Sequence, residues 1–296
     1  MTLAEAYHHC STLARSHYEN FPVGALVPKA MRPHVHAVYA FARTADDIAD
    51  EGYDDPRLIH HDGTALSPQE RLLTMHAYQS DLEACLNGGG WRPEHDWIFL
   101  PVADTIEKYD LPPSLFRDLL SAFKQDIVQT RYETFDQVLD YCTRSANPVG
   151  RLVLHLHGIR DEKLHRLSDG ICTGLQLANF WQDVSVDLGK NRLYIPLQDM
   201  ARNGVDESQL FAGHATEGFT RCMQDMVERA WVRFRVGRDL TRYLPFPLSW
   251  EIRLTWLGGT TILKKIEQQG FDTLSSRPKL RKRDLPLLAL HALFSR

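Results

Sequence analysis

The chain has 296 residues, 43% of them hydrophobic, and a formal net charge of -4. That length supports a sizeable core, and with no basic face in the sequence nucleic acid is not an expected partner. Five cysteines without a CxxC pair read as reduced thiols of a cytoplasmic protein; the first residues lack the basic-then-apolar run of a signal peptide, and no apolar stretch reaches membrane-span length.

Taken in chain order, apolar residues recur at helical spacing over residues 2–19, 31–51, 67–87, 98–109, 113–129, 134–157, 161–187, 216–243 and 249–268. Breakers separate them: Ser67-Pro68, Asn87 to Gly90, Pro112-Pro113, Leu188-Gly189, Asn203-Gly204 and Pro245 to Pro247. Pro148 falls inside the sixth segment and is expected to kink or interrupt it. Polar loops are expected near 52–66 and 87–97. A last apolar run at 285–294 is about half a span long, fit to dock on the protein or rest on a membrane surface. No alternating strands, fixed repeat or linker stand out, so the reading is one all-α body covering residues 1–296.

Two segments carry paired carboxylates. Asp46 and Asp50 in YAFARTADDIADE, and Asp183 and Asp187 in FWQDVSVDLGKNRLYIP, are each four residues apart and late in an expected helix. At about 100° per residue, Tyr39, Arg43, Asp46 and Asp50 share a sector of roughly 60°, and Gln176, Asn179, Asp183 and Asp187 one of roughly 80°. Like charges at this spacing repel, and near a helix C-terminus the macrodipole opposes them as well. A missing cation would relieve both terms. Hard carboxylate oxygens in pairs suit Mg²⁺, which keeps waters and shares phosphate oxygens, and Arg43, Lys190 and Arg192 could neutralise a diphosphate between two such stripes. A solvated helix face explains a single DxxxD equally well; two copies, with amides or arginine on the same stripe, favour the metal-diphosphate site.

Gly170, Gly174 and Ala178 lie four apart and leave a furrow along one helix. It accommodates either a packed neighbour or an apolar ligand tail. Glu5 with His8, and Glu162 with His165, have the spacing of a di-iron carboxylate bundle, yet their polar surroundings read as solvated surface. A non-enzymatic helical scaffold would leave both acidic stripes unexplained.

ARTADDIADE and QLANFWQDVSVDLGKNRLYIP resemble the two aspartate-rich signatures of the squalene and phytoene synthase family. YETFDQVLDYCTRSANPVG resembles its central tyrosine-containing stretch. The resemblance runs in the same order from about residue 15 to 280, and NFWQDV with HYENFPVG at 17–24 looks most like the hydroxysqualene synthase branch of bacterial hopanoid biosynthesis. It implies an all-α, single-domain isoprenoid synthase bundle with a central apolar cavity. It implies Mg²⁺ on Asp46, Asp50, Asp183 and Asp187. Tyr39, Arg43, Tyr141 and Asn179 would surround the reacting end, and Arg43, Gln176, Asn179, Lys190, Arg192 and Tyr194 would bind substrate. Tyr39, Phe41, Phe180 and Trp256 could present rings to a carbocation.

Family members join two prenyl diphosphates head to head through a cyclopropyl diphosphate, then ionise and rearrange it. The branch resemblance implies that presqualene diphosphate and water give hydroxysqualene and diphosphate, with NADPH not expected. The alternative is condensation to squalene, dehydrosqualene or phytoene. Gln182 stands where many relatives carry arginine, which removes a cation from the diphosphate end and counts against that condensation. A water-insoluble product makes peripheral association with the inner face of the membrane, and contact with neighbouring enzymes of the pathway, reasonable expectations.

Overall fold

The computed structural model describes residues 1–16, 27–50, 64–281 and 284–294. The HYENFPVG segment and most of the loop expected near 52–66 lie outside these residues. The chain is all-α and divides into two compact units, residues 1–129 with 151–160, and residues 130–150 with 161–296. Each has its own reason to fold.

The first unit holds α1 (Leu3–Ser16), α2 (Arg32–Ala49), α3 (Pro68–Leu86), α4 (Asp96–Tyr109) and α5 (Pro113–Val128). Ser67 and Glu70 close a capping box at the start of α3, satisfying two donors that a helix start otherwise leaves open. Phe41, at full burial on α2, is the centre of an aromatic core. It stacks on Tyr78 at 5.4 Å and meets the edges of Phe99 and Phe116 at 6.2 and 5.3 Å. Phe41 is therefore a core residue. The buried Asp81 carboxylate is paired: it accepts from Arg92 Nε and Nη2 and from the Arg92 backbone N–H, with His95 Nδ1 2.7 Å away.

A second polar cluster joins α1, α2 and α4. His34 Nδ1 lies 2.8 Å from Tyr7 Oη and 2.9 Å from Thr105 Oγ1, and Lys108 Nζ is 3.0 Å from its Nε2. Tyr7 also donates to Asp104 at 2.6 Å.

Helix α7 (Asn147–Leu156) begins in the second unit and continues into the first. It is separated from α6 (Phe135–Ser145) by Ala146, so the pattern over 134–157 is two helices, with Pro148 in the opening turn of the second. There its missing N–H costs no hydrogen bond.

The second unit continues with α8 (Glu162–Gln182), α9 (Val184–Gly189), α10 (Leu197–Arg202), α11 (Glu207–Phe211), α12 (Glu217–Gly237), α13 (Leu248–Gln268) and α14 (Leu285–Phe294). The glycine furrow on α8 is filled. A Cβ on Gly174 would meet the Phe234 ring at 3.0 Å, and one on Gly170 would meet the Arg233 carbonyl and Gly237 N–H at 3.0 Å, all from α12. Gly237 returns the relation, its Cβ direction closing on Ile171 and the Leu167 carbonyl. Close helix packing thus explains Gly170 and Gly174, and beside them the furrow offers no room for a ligand tail.

Helix α14 docks on α13. Leu288 and Ala292 pack with Leu257, and Arg253 donates to the Ala292 carbonyl at 3.0 Å. Trp256 belongs to this cluster as well and donates its indole N–H to the Phe234 carbonyl at 2.9 Å, which makes it a packing residue. No described helix is long and apolar enough to cross a membrane.

Glu162 is exposed and Glu5 is engaged at its own helix start with Thr2, but His165 is 3% exposed, so it is a buried side chain and not part of a solvated surface.

Candidate active site

The two aspartate pairs belong to different units and both depart from a regular helical stripe. In the first unit α2 stops at Ala49. Asp50 is its C-cap with ψ 164, its N–H still donating to the Asp46 carbonyl at 2.8 Å. Buried Arg71 donates to the Ala49 carbonyl at 2.5 Å, closing the last turn, where a cation also complements the dipole. Asp50 thus leaves the helix in extended backbone instead of continuing the Tyr39–Arg43–Asp46 face.

Tyr39, Arg43 and Asp46 on that face, and Asp50 beyond it, are all half-buried. Arg43 lies 3.2 Å from Asp46 Oδ2 through one nitrogen and 2.5 Å from Asp47 Oδ1 through another. Partial burial disfavours its charge, but Asp47 and Asp46 outweigh that and hold the guanidinium above its ordinary pKa.

In the second unit the expected helix over 161–187 breaks at Asp183. That residue ends α8 and begins α9 with φ -102 and ψ 13. Its carbonyl accepts from the Val186 and Asp187 N–H groups, each at 2.9 Å. Gln176 and Asn179 precede the break on α8, the first half-buried and the second exposed, and Asp187 follows it in the first turn of α9.

A tight turn then returns the chain: the N–H groups of Lys190 and Arg192 donate to the Asp187 carbonyl at 3.0 and 2.8 Å. Asn191 takes the left-handed conformation with φ 56 that this turn demands, one that asparagine tolerates better than most residues. Lys190 is exposed and Arg192 half-buried.

Two features of this half are absent from any local pattern. Arg131 grips the turn by donating to the Asn191 carbonyl at 2.6 Å and its side-chain Oδ1 at 2.9 Å, while its Nε meets Glu207 at 3.0 Å. A parallel bridge between Arg131 and Leu193 aligns the two segments. Arg277, 94 residues from Asp183 in sequence, clasps the Asp183 carboxylate with Nε and, at 2.9 Å, with Nη2.

The turn also delivers Tyr194 into an aromatic box. Tyr194 lies face to face with Phe180, centroids 3.7 Å apart and planes 10° apart, and stacks at 5.5 Å on Tyr132. Tyr141 closes the group at 5.8 Å from Phe180, 6.1 Å from Tyr194 and 6.2 Å from Tyr132. All four are less than one tenth exposed. Tyr141 and Tyr194, which the sequence nominates, therefore come together, and Tyr132 joins them unforeseen.

The donor chemistry fits Mg²⁺ bound with a diphosphate. Each half offers two hard carboxylates, and among the described residues no three His, Cys, Asp or Glu side chains gather closely enough to hold a metal ion alone. Mg²⁺ is commonly held by one or two carboxylates, with water and substrate phosphate oxygens completing its octahedron.

Residues 14–284 match the family model described as squalene/phytoene synthase. The chain belongs to the squalene/phytoene synthase family. Within that family it is 32% identical to the hydroxysqualene synthase of Sinorhizobium fredii over 93% of this chain and 88% of the relative. It is 28% identical to the 15-cis-phytoene synthase of Synechococcus elongatus over 98% and 94%. The crystal structure of squalene synthase HpnC from Alicyclobacillus acidocaldarius superposes with a TM-score of 0.81 at 36% identity, covering 91% of this chain and 96% of that one. The family's helical fold is thus the fold of this chain.

Proposed function

We propose that the protein converts presqualene diphosphate and water to hydroxysqualene and diphosphate, with Mg²⁺ held by its two aspartate pairs. The observation that carries this reading is the buried box of Tyr132, Tyr141, Phe180 and Tyr194, two of whose members flank the second aspartate pair in sequence. Aromatic rings near a departing diphosphate would stabilise the carbocation it leaves, by about 2 kcal/mol when desolvated. The likeness to hydroxysqualene synthases supports the choice of reaction.

Mg²⁺ on Asp46, Asp50, Asp183 and Asp187 would stabilise the charge that develops on the departing diphosphate. Arg43, Lys190 and Arg192 bind its oxygens, and Gln176 and Asn179 hold its reacting end. The C–O bond to diphosphate breaks with its electron pair on the leaving group. Tyr39 and the ring cluster around Phe180 and Tyr194 supply the π-electron density that would stabilise the resulting cation, and apolar walls limit the water that reaches it. A water held by Asn179 or Tyr141 supplies the lone pair for the new C–O bond and releases a proton. No electron is gained or lost overall, so the reaction calls for no NADPH.

The likeness to phytoene synthases favours a second reading, condensation of two prenyl diphosphates on the same residues. Product analysis separates the two. Incubation with presqualene diphosphate is expected to yield hydroxysqualene with or without NADPH; a hydrocarbon formed from farnesyl or geranylgeranyl diphosphate, with no hydroxysqualene, would establish the alternative. The protein acts on the cytoplasmic side, with its insoluble product passed to an adjacent membrane.

A further inference from the structure

Asp183 is 13% exposed and its carboxylate is already matched by Arg277 in a two-toothed pair. Planar guanidinium and carboxylate meet here in their strongest mutual geometry. The pair is reinforced by the next residue on each side: Gln182 Nε2 donates to the Pro278 carbonyl at 2.7 Å. Residues 182–183 and 277–278 are therefore tied twice, once by charge and once by a neutral hydrogen bond. Gln182, the position at which this sequence departs from its family's usual arginine, is the anchor of the neutral tie.

We infer that Arg277 is a built-in occupant of the second aspartate pair, holding Asp183 in the metal-free protein and yielding it when a divalent cation loads. The inference rests on the reading of Asp183 as a metal ligand. A carboxylate this buried is costly to leave bare, so a partner that remains until the cation arrives keeps the break between α8 and α9 in place. The same partner competes with the cation, by occupying both carboxylate oxygens and by placing a positive charge beside the incoming one. Gln182 keeps the 277–278 segment close after release, so that the clasp re-forms when the metal departs. Loading of this half is consequently an exchange of one cation for another.

The test is Mn²⁺ binding followed by electron paramagnetic resonance, with no diphosphate present, on the full-length protein. Arg277→Gln is expected to bind Mn²⁺ about five- to tenfold more tightly than the wild type, as the loss of one partly exposed charge pair permits. Arg277→Lys keeps the charge but not the fork and is expected to fall between the two; it also serves if the glutamine variant does not fold. Gln182→Ala, which frees the anchor alone, should tighten binding by a smaller factor. Unchanged or weaker Mn²⁺ binding in both Arg277 variants, with Asp183→Asn still losing it, would overturn the exchange while leaving Asp183 as a ligand. Wild-type Mn²⁺ binding in Asp183→Asn would remove that aspartate from the metal site and the exchange with it.

Discussion

Phe180 and Tyr194 lie face to face with ring centroids 3.7 Å apart, although fourteen positions separate them in the chain. The break at Asp183, the short α9 and the Asn191 turn all lie between them, and the stack is what that detour accomplishes. If the box serves a carbocation, Tyr194→Leu, which keeps bulk and loses the face, should lower kcat about thirtyfold, the equivalent of about 2 kcal/mol. Tyr194→Phe should retain most of the rate. Steady-state kinetics on both variants checks this, with thermal melts to measure the stacking loss of about 1 kcal/mol separately.

Arg131 fixes Asn191 by two hydrogen bonds between Lys190 and Arg192. It is a positioning residue. Arg131→Met should raise KM for the diphosphate substrate about tenfold, as misplaced cations bind the ground state less well, while kcat falls by a smaller factor. Equal losses in both parameters would point to a role in the chemical step instead.

Much of this arrangement was legible in the sequence. Helical periodicity located the long helices within a few residues, because their apolar stripes are strong and their breakers are glycines and prolines. The pairs Asp46/Asp50 and Asp183/Asp187 stood out by spacing, and Tyr141 and Tyr194 through the family resemblance. The break at Asp183 was not legible, since VSVDLG continues a helical pattern and only its tertiary setting, with Trp181 buried beside it and Arg277 on the carboxylate, ends the helix. Nor did the sequence distinguish a furrow that receives a ligand from one that receives Phe234, because small residues permit both. Arg277 and Arg131 act across long sequence separations, where no periodicity reaches.

The packing of α8 on α12 makes its own prediction. A methyl at Gly237 would meet Ile171 Cγ1 and, at 2.7 Å, the Leu167 carbonyl, and backbone cannot move aside as a flexible side chain can. Gly237→Ala should therefore destabilise the protein by about 1–3 kcal/mol despite its better helix propensity. Chemical denaturation monitored by circular dichroism checks it; an unchanged or raised midpoint would mean that the helices separate readily.

Acid should weaken the first unit. Burial, followed by the charge of Lys108, holds the His34 pKa below its ordinary value, and burial, followed by Arg15 and Arg32, does the same for His36. Asp104 opposes the shift at His34 without reversing it. With folded values below the unfolded ones, the unfolded chain binds more protons in that interval. The stability contributed by neutral His34 and His36 is thus present above about pH 6.5 and is lost as pH falls below it. Urea midpoints measured between pH 7.5 and 5.5 should decline, and the decline should be shallower in His34→Gln, whose amide cannot charge beside Lys108.

The central claim, ionisation of a prenyl diphosphate followed by capture of the cation by water, is tested most directly by turnover of presqualene diphosphate in ¹⁸O-labelled water. The proposal requires a C30 alcohol carrying one ¹⁸O atom, formed with Mg²⁺ and without NADPH. An unlabelled alcohol, or a hydrocarbon as the sole product, would contradict it.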